Sequence, residues 1–123
     1  MIIGIGIDLV YIPRIKKLLD KWGNTFKKRV FSDNEIAYSE KHLKYENHYA
    51  ANFAVKEAFF KAIGRGFRFK DIETLRDEHG KPYINLYGEA KKTASTLKIS
   101  SIHTSISHDG EYSVAVVLLE SSP

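Results

Sequence analysis

A chain of 123 residues, 43% hydrophobic and 12% aromatic, is too apolar for disorder and long enough for one moderate core, so a single domain over residues 1–123 is expected. It has no cysteine, which excludes disulfides, thiolate metal sites and a cysteine nucleophile and leaves any metal to oxygen or imidazole, a donor set suited to a hard ion such as magnesium. A net charge of +4 and a pI near 9.2 favour an acidic partner; Lys16, Lys17, Lys21, Lys27, Lys28 and Arg29 crowd the first quarter, whereas no Lys or Arg follows Ile102.

The opening MIIGIGIDLV alternates as a strand, with Ile3, Ile5, Ile7 and Leu9 on one face and Gly4, Gly6 and Asp8 on the other. Pro13 suits the first turn of a helix that runs to Gly23, with Ile12, Ile15, Leu18, Leu19 and Trp22 facing inward and Arg14, Lys17 and Lys21 in a row on another side. SDNE, Ser32 to Glu35, has the form of a capping box, which predicts a helix from Asp33 to His42 with Phe31 stapling its first turn. The polar segment Lys44 to Asn47 reads as a loop. A longer helix from Asn47 to Ile63 then contains FAVKEAFFKAI, in which Ala54, Ala58 and Ala62 form a stripe of small residues and Gly64 ends the run.

DIETLRDEHGKPYINLY predicts a hairpin turning at His79 to Pro82, followed by a helix over Gly88 to Leu97. Ile102 to His108 and Tyr112 to Leu119 read as strands joined by an Asp109-Gly110 turn, and the Val and Leu content of the last implies burial on both faces. The expected class is α+β, a mainly antiparallel sheet packed against helices, which argues against a doubly wound nucleotide fold. No apolar run approaches the roughly 20 residues that span a bilayer, and no basic leader is present, so a cytoplasmic protein without membrane association is expected.

Two carboxylates stand out. Asp8 lies between Ile7 and Leu9 on an apolar strand, where an unpartnered charge is costly unless it is exposed at the strand end. Glu57 interrupts a helix otherwise committed to packing, and its ordinary partner would be Lys61, four residues on. Together the two acids could hold one magnesium ion beside a phosphate. TSISHDG, Thr104 to Gly110, puts His108 at a strand end near a turn; Ser107, His108 and Asp109 are consecutive and cannot converge as a catalytic triad. His42, His48, His79 and His103 show no metal-ligand spacing and read as surface residues.

Asp8 after GIGI, then FAVKEAFFKAIGRG, GKPYI and SISHDGEYSVAVV, in this order across essentially the whole chain, resembles the bacterial holo-acyl-carrier-protein synthases, the small 4'-phosphopantetheinyl transferases. The resemblance implies the phosphopantetheinyl transferase fold, a homotrimer with active sites at subunit interfaces, and Mg2+ held by Asp8 and Glu57. It places Lys61 with them as a catalytic residue and as a contact to coenzyme A phosphates, and assigns Gly64, Lys81, Pro82 and His108 to coenzyme A binding. The implied reaction moves 4'-phosphopantetheine from coenzyme A to a serine of apo acyl carrier protein and releases adenosine 3',5'-bisphosphate. Carrier proteins are acidic along the helix after that serine, so Arg14, Lys17, Lys21 and Lys28 become the expected docking surface. Many chains of this kind have Arg where this one has Asn52, which leaves the ligand short of a cation unless Lys44 or Arg65 supplies it. A metal-dependent nuclease would use similar residues, but Glu57 and Lys61 lack the ExK separation, and no nucleic-acid partner is expected. A non-catalytic basic module would explain the first helix and leave Asp8, Glu57 and Lys61 unexplained.

Overall fold

The computed structural model describes residues 1–123, in the order β1 (Ile2–Tyr11), α1 (Ile12–Trp22), α2 (Asn24–Val30), α3 (Asp33–Glu40), α4 (Tyr45–Ile63), β2 (Ile72–Arg76), β3 (Pro82–Leu86), α5 (Gly88–Thr96), β4 (Ile99–Asp109) and β5 (Tyr112–Ser121). The class is α+β, as expected. β5 is the middle of an antiparallel sheet ordered β1-β5-β4, while β2 and β3 pair separately as a hairpin.

The long helix α4 lies across one face of the three-stranded sheet, and its small-residue stripe explains how closely. Gly6 is buried beneath it, and a Cβ at Gly4 or Gly6 would collide with the carbonyl oxygen of Ala62 or Ala58. Glycine is therefore required at both positions by the helix backbone itself. Ala54, Ala58, Val10, Ala115, Val117 and Leu119 fill this seam and are wholly or almost wholly buried.

The opposite face of the same sheet is uncovered. Ile5, Ile7 and Leu9 are 63%, 61% and 61% exposed, and Val114, Val116 and Leu118 are only half-buried. The expectation that β5 is buried on both faces is thus wrong within one chain: only Ser113, Ala115, Val117 and Leu119 are enclosed. Trp22 likewise points out, 53% exposed, because α1 buries Ile12, Ile15 and Leu19 instead.

The capping box forms as predicted, with Ser32 Oγ accepting from the Glu35 amide at 3.2 Å and Glu35 accepting from the Ser32 amide at 2.9 Å. Glu35 does more than cap. It is fully buried, takes the Lys56 ammonium at 2.7 Å and accepts the Thr74 amide at 3.1 Å, tying α3 to α4 and β2. Lys56, also fully buried, donates further to the carbonyls of Phe69 and Ile72. Burial pushes the carboxyl pKa up and the ammonium pKa down, and their attraction and hydrogen bonds oppose it. The boundaries also differ: α3 stops at Glu40, α4 begins at Tyr45 in the supposed loop, β4 begins at Ile99, and α2 was not anticipated.

Candidate active site

Alternation along β1 points Asp8 toward α4, on the face shared with Gly4 and Gly6, opposite Ala115. Its side chain is 15% exposed. Lys61, from the last turn of α4, crosses to the strand and donates to Asp8 Oδ1 and to the carbonyl of Ile7, each at 3.0 Å. The intrahelical pair between Glu57 and Lys61 is therefore not the one that forms. Glu57, one turn earlier on the same side, is left without an ion-pair partner and is half-buried. Burial and the negative charge of Asp8 raise its pKa, while Lys61 and Arg14 pull it back. Two carboxylates from different elements thus share one field with a lysine whose remaining donor is free.

This donor set fits a magnesium ion. It is all oxygen, the second acid is held in its neighbour's negative potential, and the surroundings supply no third histidine or acid, since no group of three or more such side chains occurs. Magnesium commonly takes one or two carboxylates and completes its shell with water and substrate phosphate.

His108 and Pro82 lie elsewhere. They line a cleft of about 320 Å³ at the β4 edge, together with Tyr38, His48, Ala51 and Arg76, and none of Asp8, Glu57 and Lys61 reaches it. Asp8 is on the opposite edge strand, so the two groups of residues lie at opposite edges of one sheet. Gly64 sits just beyond Lys61 in the left-handed conformation at φ 94°, which makes it the helix stop as well. Lys81 lines a neighbouring groove with Pro82, Tyr83 and His103 rather than the His108 cleft.

The histidine cleft contains groups that pattern reasoning missed. His48, expected on the surface, packs against His42 with ring centres 3.9 Å apart and planes tilted by 36°, and burial with help from His42 lowers its pKa to about 4. Asn52 is fully buried and accepts from Arg76 Nη2 at 3.1 Å. Neither Lys44 nor Arg65 lines this cleft; Arg65 lies 4.4 Å over the ring of Phe67.

A family model described as the 4'-phosphopantetheinyl transferase superfamily matches residues 4–117. The chain belongs to that superfamily. A curated relative from Syntrophus aciditrophicus, named holo-[acyl-carrier-protein] synthase, is 46% identical, with 98% of this chain and 97% of the relative covered. The holo-ACP-synthase structure from Plasmodium yoelii superposes with a TM-score of 0.88 at 37% identity, covering 100% of this chain and 98% of that one. A Bacillus anthracis holo-(acyl-carrier-protein) synthase, crystallised in complex with CoA (3',5'-ADP), gives 0.82 at 37% identity over 99% of each chain.

In this phosphopantetheinyl transferase Ser107, His108 and Asp109 are successive residues of β4, so their side chains do not converge on one point. The basic row of α1 begins beside the carboxylates, since Arg14 is close enough to lower the Glu57 pKa. Arg14, Lys17, Lys21 and Lys28 have no carboxylate partner, whereas nearby Lys16 and Lys27 pair with Asp20 and Glu40. No helix is long and apolar enough to cross a membrane.

Proposed function

We propose that this transferase moves 4'-phosphopantetheine from coenzyme A to a serine hydroxyl of apo acyl carrier protein, with Asp8 and Glu57 holding Mg2+, and releases adenosine 3',5'-bisphosphate. The observation that carries the reading is the Asp8 and Lys61 contact with Glu57 beside it, a metal-and-phosphate donor set on a chain of this family. The serine oxygen, giving its proton to a water or carboxylate of the site, bonds to the phosphorus nearest pantetheine, and the bond from that phosphorus to the bridging oxygen breaks, so that this oxygen departs on adenosine 3',5'-bisphosphate. Charge on the transferring group and on the departing oxygen must be neutralised during this step. Lys61 is oriented for it: two of its donors are fixed on Asp8 and Ile7, which aims the third outward. A bound magnesium ion would add positive charge at the same phosphate oxygens.

Two groups of site residues at opposite edges of one sheet support the homotrimer that the family resemblance implies. A contiguous apolar face such as Ile5, Ile7, Leu9, Val116 and Leu118 is rare on a monomer. Head-to-tail contacts that close a ring would bring the β1 edge of one copy to the β4 edge of the next. Asp8, Glu57 and Lys61 would then face His108 and Pro82 of another copy. Incubation with apo acyl carrier protein, coenzyme A and magnesium should add one phosphopantetheine mass to the carrier; an unmodified carrier would refute the activity.

Lys61→Met should abolish most transfer yet change the melting temperature little, because the lysine is 55% exposed and its ion pair with Asp8 is worth little to stability. Activity and melting temperature falling in proportion would make Lys61 structural. Arg14→Glu with Lys21→Glu should raise the Michaelis constant for carrier protein at least about tenfold, roughly 1.4 kcal/mol, and flatten its dependence on salt. The constant for coenzyme A should hardly move. Equal losses for both substrates would place docking elsewhere.

A further inference from the structure

We infer that Arg76 binds the 3'-phosphate of coenzyme A in the cleft that it shares with His108. This deepens the proposed function and rests on coenzyme A being the substrate. Coenzyme A carries two separate anionic centres, a diphosphate and a 3'-phosphomonoester, and the Asp8, Glu57 and Lys61 cluster accounts for only the first. The second needs a cation in a site free of carboxylates, and the histidine cleft has both properties.

Arg76 is the one permanent charge among the residues lining that cleft, and no acid lines it. His48 is held neutral by burial, with a pKa of about 4. The only carboxylate whose charge acts on Arg76 is Glu35, already neutralised by Lys56 at 2.7 Å. The guanidinium is nevertheless fixed: Nη2 donates to Asn52 Oδ1 at 3.1 Å, and its centre lies 5.5 Å over the Tyr38 ring. Nη1 is buried and has no acceptor. A positioned guanidinium that lines the cleft without a counter-ion is suited to a charge-assisted contact with a phosphate dianion. Asn52, itself uncharged, thereby becomes the residue that orients a cation coming from β2.

Calorimetric titration of the full chain with adenosine 3',5'-bisphosphate and with adenosine 5'-monophosphate tests this without requiring turnover. The wild type should bind the bisphosphate at least about tenfold tighter, and Arg76→Met should bring it down to the level of the monophosphate while leaving the monophosphate unchanged. If circular dichroism shows that variant unfolded, Arg76→Gln, which keeps a donor for Asn52 and removes the charge, carries the same comparison. Equal weakening of both ligands, a preserved preference in the variant, or no preference in the wild type would overturn the assignment. A wild type that discriminates the two nucleotides but never modifies carrier protein would instead sink the transferase reading and leave the anion site standing.

Discussion

Asp8→Asn and Glu57→Gln are each expected to lower phosphopantetheine transfer by about a hundredfold or more, roughly 2.7 kcal/mol of transition-state stabilisation, while the protein stays folded. Neither side chain belongs to the buried core, and neither substitution changes the shape of the seam beneath α4. The loss should come from charge at the phosphate. Asp8→Asn also removes the anion that orients Lys61, so its effect should equal or exceed that of Glu57→Gln. Chelation of magnesium should reproduce the loss in the wild type and add little in either variant. Near-normal turnover by either variant at ordinary magnesium concentration would show that the two carboxylates do not share a metal.

Lys56→Met is expected to destabilise the fold by about 3–5 kcal/mol, a large part of the roughly 5–15 kcal/mol typical of a domain, measured by urea unfolding. The methionine fits the space but leaves Glu35 buried with no cation, and strands the carbonyls of Phe69 and Ile72 that Lys56 satisfied. Adding Glu35→Gln should recover part of the loss, because it removes the buried charge; its single amide oxygen keeps only one of the two acceptances, since the Ser32 and Thr74 amides donate to different carboxylate oxygens of Glu35. A double variant as unstable as the single one would mean that the unpaired charge is not the cause.

These two lysines show which parts of the molecule were legible in the sequence. Local patterns carried far: the alternation that put Asp8 with Gly4 and Gly6, the capping box at Ser32 and the stop at Gly64 appear where predicted, while the turn before β5 falls one residue later, at Gly110 and Glu111, because Asp109 still pairs with Tyr112. Partnerships across the chain did not. Lys61 bonds Asp8, 53 residues away, instead of Glu57 on its own helix, and the capping carboxylate of Glu35 doubles as the counter-ion of Lys56, 21 residues later. Helical spacing describes only neighbours on one element, so it assigned the nearer partner. His48 and Arg76 were missed for the same reason, since their cleft is assembled from α3, α4, the β2-β3 hairpin and the end of β4. The outward face of β1 has the composition of a core strand because composition records burial without saying whose atoms provide it.

The seam between β1 and α4 acts as a spacer gauge for the chemistry above it. With no Cβ at Gly4 or Gly6, the helix backbone settles directly on the strand, and that contact fixes how far Glu57 and Lys61 stand from Asp8. One added methyl group at the bottom of the seam would lift the helix like a shim and widen the carboxylate gap while leaving every reactive atom chemically intact. A metal ion held between Asp8 and Glu57 would therefore meet a gap set by two residues that have no side chain at all.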